Sequence, residues 1–337
     1  MRWYRGTPVV LMMDEACFYL EIYLGDYMES MTFHELTDQI VALYHQKKFE
    51  EALQLIEEHL NSFPEQAARL TFWRMCFLSL IGRSNNVISV FQSGLDSGLW
   101  WHAELFADPD LNAVRDLPEF KRLTAVSQER YEEEQAQIER DYTLLQPEPP
   151  SSGLYPLLIT LHGRNGSKEA DLGSWELARQ RGWLVLSAQS TQPVFQGAYH
   201  WDNPERGFAD LRFYYDQVLQ KYQVDPQQIV IAGFSQGSGM AIYTALTGTL
   251  PVRGFIGIGT WWADANQLDM PGGQVRGYFI TGEKDHTLDR AREIQEVLRK
   301  NKVEFAEEVH ADLGHEFSSD FGSSFDKAIH FIFKEQE

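Results

Sequence analysis

The sequence predicts an α/β protein: a mostly parallel sheet with helices on both faces, preceded by an all-helical domain. Three observations predict it. From Asp141 onward, short apolar runs rich in β-branched residues alternate with helical stretches. Before Arg140, apolar residues recur almost entirely at helical spacing. At Gly233-Phe234-Ser235-Gln236-Gly237, an apolar strand runs straight into a helix through a turn that demands small residues.

The first thirty residues are read as an extension. Arg2 and Arg5 precede the apolar run Val9–Met13, but Asp14 and Glu15 cut that run too short for a signal peptide. Phe18–Leu24 is rich in aromatic and β-branched residues and is expected to form a strand. No stretch approaches a membrane span.

Residues 31–140 are read as a helical domain. Phe33, Leu36, Ile40, Leu43 and Tyr44 share one helix face, and Phe49, Ala52, Leu53, Ile56 and Leu60 share another. Pro64 stops the second helix. Ala67–Ile81 and Val87–Leu95 form a second pair, ending at Gly82 and Gly98. Ala52 and Val87 then stand one period of 35 residues apart. With the turn Tyr44–Leu53, residues 33–98 resemble tetratricopeptide helix pairs. The alternative is a bundle of plain helical hairpins. Phe120–Arg140 is a further helix with a charged, solvated end.

Residues 141–337 are read as the α/β domain. Its expected strands are Tyr142–Leu145, Leu157–Leu161, Trp183–Ser187, Ile229–Ala232, Phe255–Ile258, Tyr278–Thr281 and Val303–Val309. Helices are expected near Lys168–Arg181, Gly207–Tyr222, Ser238–Thr247, Leu288–Lys300 and Phe321–Phe333. The Pro-rich segment Gln146–Gly153 is read as a loop between the first two strands, not as the interdomain linker.

Charge narrows the function classes. The formal net charge is −20, from 29 basic and 49 acidic residues, with acid in excess in both halves. A chain without a basic patch is poorly suited to nucleic acid or to anionic membranes. The two cysteines, Cys17 and Cys76, fit a reducing compartment and offer no metal spacing, so a cytoplasmic location is expected. No phosphate-binding loop or dinucleotide fingerprint appears, and neither metal nor cofactor is expected.

Ser235 is the candidate nucleophile. A tight strand-to-helix turn presents its hydroxyl at the carboxyl end of the sheet, where α/β proteins bind ligands. A serine hydroxyl is weakly nucleophilic and needs a base, oriented in turn by an acid. His315, in Asp312-Leu313-Gly314-His315-Glu316-Phe317, is the base candidate, ahead of His310 and His330. Asp285, directly after the strand Tyr278–Thr281, is the acid candidate, with Glu283, Asp289 and Asp264 as alternatives. Backbone donors for an oxyanion are expected at Gln236 and, in the loop Leu161-His162-Gly163-Arg164-Asn165-Gly166, at Arg164. Trp201 and Trp261 follow strands and are placed in the substrate pocket together with His162, which also shapes its loop.

The segments LHGRNG, GFSQGSGMA, TGEKDHTLDRA and DLGHEF, in this order, resemble the phospholipase/carboxylesterase branch of the α/β-hydrolases over Tyr142–Phe333. The resemblance implies hydrolysis of a small-molecule carboxylic ester or thioester through an acyl-enzyme. Arg164 and Asn165 replace smaller residues common in that loop, and Ser238 replaces a common second glycine. Two other readings stay open: a serine peptidase of the same fold, and a helical partner-binding protein with a silent hydrolase domain. The helical domain is expected to cover the site or to mediate a homo-oligomer.

Overall fold

The computed structural model describes residues 31–271 and 275–334. The strand expected at Phe18–Leu24 lies outside them. The chain opens with α1 (Phe33–His45), α2 (Phe49–His59), α3 (Ala67–Leu80), α4 (Ser84–Asp96) and α5 (Pro118–Gln137). A capping box starts α1: the Thr32 hydroxyl accepts from the Glu35 amide at 3.2 Å, and Glu35 accepts from the Thr32 amide at 2.7 Å. Helix α3 is buried almost all round, through Leu70, Phe72, Met75, Cys76, Phe77 and Leu78, so it forms the centre of the helical domain. Short 3₁₀ turns at Ala103–Ala107 and Pro109–Leu111, which periodicity does not reveal, close the bundle between α4 and α5. Phe106 from the first of them packs on Phe91 with ring centroids 4.9 Å apart.

The second half contains β1 (Tyr142–Leu145), β2 (Tyr155–Leu161), α6 (Leu172–Gln180), β3 (Leu184–Ala188), β4 (Pro193–Phe195), β5 (Ala198–Tyr199), α7 (Pro204–Lys221) and β6 (Val224–Phe234). It continues with α8 (Gln236–Thr247), β7 (Gly254–Ile258), β8 (Arg276–Gly282), α9 (Leu288–Lys300), β9 (Glu304–His310) and α10 (Phe321–Phe333). Seven strands form one sheet in the order β1-β3-β2-β6-β7-β8-β9. Only β1 runs antiparallel to its neighbour. The fold is the mostly parallel, doubly covered sheet that the apolar runs predict.

Alternation along the central strands makes the two layers. Leu157, Ile159, Leu161, Ile229 and Ile231 face α7, α8 and α9 through Leu211, Met240, Ile242 and Ile294. Leu158, Val230, Ala232, Ile256 and Ile280 face α6 and α10 through Trp175, Phe321 and Phe325. Helix α6 begins at Leu172 and not near Lys168, because residues 167–171 form turns in which the Ser167 carbonyl accepts from Ala170 and that of Glu169 from Leu172.

The hairpin β4–β5 is a departure from the expected pattern, which places no strand between Trp183–Ser187 and Ile229–Ala232. Val194, Phe195 and Ala198 belong to the core of the helical domain, not to that of the sheet. Trp101 bridges antiparallel to Phe195, and the His102 amide donates to the Val194 carbonyl at 2.8 Å. Trp101 is held in turn by Ser127, whose hydroxyl accepts from its amide at 2.7 Å and donates to its carbonyl at 2.8 Å. Every polar group at this buried seam that enters these pairs is thereby satisfied. Among the described residues no helix is long and apolar enough to cross a membrane.

Candidate active site

Ser235 sits between the end of β6 and the start of α8 with φ 52° and ψ −120°. An L-residue disfavours that conformation, and it persists only where the surroundings enforce it. The flanking glycines supply that enforcement. A Cβ on Gly233 would lie 2.3 Å from the Gly237 carbonyl carbon, and one on Gly237 would lie 2.4 Å from the carbonyl oxygens of Leu161 and His162. Strand, turn and helix therefore approach more closely than any side chain permits. The Ser235 amide donates to the Ile258 carbonyl at 2.8 Å, and its carbonyl accepts from the Trp261 amide at 3.2 Å. The side chain is left half-buried at the carboxyl edge of the sheet.

Asp285 and His315 come from the ends of β8 and β9. His315 Nδ1 lies 2.9 Å from one Asp285 carboxylate oxygen and 3.0 Å from the other. Asp285 is 5% exposed and also accepts from the amide and the hydroxyl of Thr287, each at 2.7 Å. Burial alone would push its carboxyl up, but His315 and Thr287 outweigh burial and hold it below the usual carboxylate value. The Asp-x-Thr spacing was a local signal for this turn. With Nδ1 committed to Asp285, Nε2 is the ring nitrogen of His315 left for a substrate-side partner. Gly259 ties the parts together. It follows the strand that binds the Ser235 amide, and a Cβ there would meet Asp285 Oδ2 and His315 Nδ1, each at 3.0 Å. The His315 ring also packs on Phe234, centroids 4.7 Å apart.

The rival histidines serve elsewhere. His310 ends β9 and meets Ser324 at 3.3 Å, and His330 lies within α10. His286 is next to the acid, with its ring 4.5 Å from that of His315. Burial and the neighbouring His315 lower its pKa. Donor atoms of Asp285, His286 and His315 lie within 4.8 Å of one another, close enough to meet around a small cation. Such an ion would compete for the lone pairs that join Asp285 to His315.

Two pocket expectations are corrected by burial. Trp201 is 0% exposed and His162 is 2% exposed, so neither offers surface to a substrate. Both brace the turn instead. Trp201 Nε1 donates to the His162 carbonyl at 2.9 Å. His162 Nδ1 meets the Gly163 carbonyl at 2.8 Å, and its Nε2 accepts from the Ser190 amide at 3.3 Å. These partners place the proton on Nδ1, and burial draws the His162 pKa down to about 4, so the ring is neutral near pH 7. Trp261 is half-buried beside the Ser235 turn, to whose carbonyl its amide donates.

Asp202 joins the two residues expected to frame an oxyanion. Its Oδ1 accepts from Arg164 at 2.5 Å and from Gln236 Nε2 at 2.6 Å. Its Oδ2 lies 2.7 Å from His200 Nδ1. Burial opposes ionisation of Asp202, yet His200 and Arg164 hold its carboxyl far below the usual range. The Gln236 side chain also accepts from the Trp201 amide at 3.0 Å. At the head of α8, the Gln236 amide is among the first-turn donors that a helix leaves without an intrahelical acceptor. In the facing turn, the Asn165 amide is spent on the Tyr199 carbonyl at 2.8 Å. No local spacing marks Asp202 in the sequence, since Arg164 and Gln236 lie 38 and 34 positions away from it.

Comparison with known proteins agrees with this architecture. Residues 32–135 match the family model of the A/B hydrolase-like N-terminal domain. Residues 214–334 match that of the phospholipase/carboxylesterase family. An uncharacterized protein from Bacillus cereus ATCC 10987 is similar in fold, with 23% identity, a TM-score of 0.50, and coverage of 90% of this chain and 99% of its own. Esterase PE8 is similar over 58% of this chain and 98% of its own, with 16% identity and a TM-score of 0.50. No curated protein matches the chain.

Proposed function

We propose, from the premise that this chain is a carboxylesterase-like α/β-hydrolase of the phospholipase/carboxylesterase type with a helical N-terminal domain, that it cleaves small carboxylic esters or thioesters through an acyl-enzyme on Ser235. The observation that carries the reading is the strained Ser235 turn, with the Asp285–His315 pair packed across Gly259 from it.

In the proposed mechanism, His315 Nε2 takes the Ser235 proton as Oγ bonds to the ester carbonyl carbon. The carbonyl π pair moves onto oxygen, which is held by the amides of Gln236 and Arg164. The tetrahedral intermediate collapses, and the alcohol or thiol leaves with the proton from His315. Water then repeats the sequence on the acyl-enzyme and frees the acid. Asp285 keeps His315 in the Nδ1–H tautomer and stabilises its protonated form. Trp261, half-buried beside Ser235, lines the acyl side. No step requires a redox partner.

The test is labelling with a fluorophosphonate probe, mapped by peptide mass, beside hydrolysis of a p-nitrophenyl ester series. Wild type should label at Ser235 and turn over the esters, and Ser235→Ala should lose both while unfolding at the same temperature. Hydrolysis retained by Ser235→Ala would refute the assignment.

A further inference from the structure

The helical domain reaches the oxyanion turn directly. Arg69, on α3, donates from Nη2 to the carbonyl of Asn165. These residues are 96 positions apart. The guanidinium is stacked between two aromatic rings, 5.6 Å from the centroid of Phe33 on α1 and 5.8 Å from that of Phe195 on β4. Burial draws its pKa down to about 10, so it stays charged near neutral pH.

Asn165 itself is a non-glycine residue at φ 61°. That backbone needs external support. One support is Arg69 on its carbonyl. The other is the hairpin: the Asn165 amide donates to Tyr199 at 2.8 Å, and the Tyr199 amide donates to Gly166 at 2.9 Å. The same hairpin is sewn into the helical core through Trp101, His102 and Phe195. Both supports of the turn therefore depend on the helical domain. The residue just before the supported one is Arg164, whose amide the proposed mechanism uses.

We propose that Arg69 is a positioning residue for the oxyanion turn, and that the helical domain acts as an intramolecular buttress completing the hydrolytic site. The inference rests on the Ser235 reading. A donor matters to catalysis only where it meets charge that develops in the transition state, so a displaced turn lowers turnover more than substrate binding.

The experiment compares Arg69→Met with wild type on a p-nitrophenyl ester and with an alkyl trifluoromethyl ketone. Ser235 Oγ adds to the ketone carbon, its proton passes to His315, and the carbonyl oxygen becomes an anion in the oxyanion site. Arg69→Met should lower kcat about 10-fold or more, because small displacements at a reacting centre cost that much. KM should stay within twofold, and the ketone Ki should rise by the factor by which kcat/KM falls. Arg69→Lys keeps a cation between the rings but loses the guanidinium fork. It should show the same pattern at smaller size, and it serves if the Met variant does not fold. Kinetics within twofold of wild type in a folded variant would overturn the inference. So would a loss confined to KM, or a fall in kcat with an unmoved ketone Ki. If the Ser235 reading is what fails, wild type will not label at Ser235 and the serine variant will still hydrolyse ester, whatever the arginine variants do.

Discussion

Replacing Asp202 by alanine removes the carboxylate that joins Arg164 to Gln236. Gln236 is 1% exposed, so its largely buried Nε2 loses an acceptor. An orphaned buried donor of this kind costs about 1–3 kcal/mol. The Arg164–Asp202 pair is 40% and 39% exposed at its side chains, and solvent screening limits its loss to about 0–1 kcal/mol. Together the substitution should destabilise the protein by about 2 kcal/mol, a fall of several degrees in Tm. The larger effect should fall on turnover, since the two residues released are those whose amides bind the oxyanion in the proposed mechanism. Deleting one such donor outright costs about 10²–10³ in kcat, so displacing two should cost at least about 10-fold with little change in KM. Thermal unfolding and steady-state hydrolysis measure both quantities on one preparation. The pH dependence supplies a second arm. The native Asp202 carboxyl lies below its unfolded value, so it stabilises the fold above the ordinary carboxylate pKa of about 3.9, and that contribution fades as pH falls towards the native value. Stability of Asp202→Ala should accordingly decline less between neutral pH and pH 3 than that of wild type. An alanine variant with wild-type Tm and wild-type kcat would refute the idea that Asp202 holds the oxyanion residues in place.

Two further outcomes follow from the same geometry. Gly237→Ala sets a Cβ 2.4 Å from two backbone carbonyl oxygens and should cost about 3 kcal/mol, whereas Gly173→Ala in α6 meets nothing within 4 Å and should gain a few tenths of a kcal/mol; equal unfolding midpoints for the two variants would contradict the close-approach argument. Asp285→Asn should lower kcat about 10³–10⁴-fold by spoiling the His315 tautomer. Because the Asp285 carboxyl is also held below its unfolded value, wild type should lose stability as pH falls through the carboxylate range and the variant should lose less, as read by urea unfolding at pH 7 and pH 4.

The contacts of the helical domain bear on its role. The sequence reading expected that domain to cover the site or to assemble copies of the chain. Contacts from it run through Arg69 and the β4–β5 hairpin into the turn before α6. That route was invisible in sequence because Arg69 sits on an unremarkable helix, with no spacing that marks it as a partner of Asn165.

What the sequence determined by itself was whatever local chemistry dictates. Continuous apolar runs specified strands such as Leu157–Leu161, because a strand covered on both faces buries side chains at every position. The glycines around Ser235 announced a turn too tight for side chains, and the order of Ser235, Asp285 and His315 along the chain named three candidates at the carboxyl ends of β6, β8 and β9. Tertiary structure decided what depends on residues far apart. It buried Trp201 and His162 behind the site, made Asp202 a link between Arg164 and Gln236, and folded a hydrolase hairpin into the helical core. Periodicity reports which face of an element is apolar. Which other element covers that face, and which distant polar group completes a buried hydrogen bond, is set only when the whole chain has packed and every buried donor must find its acceptor.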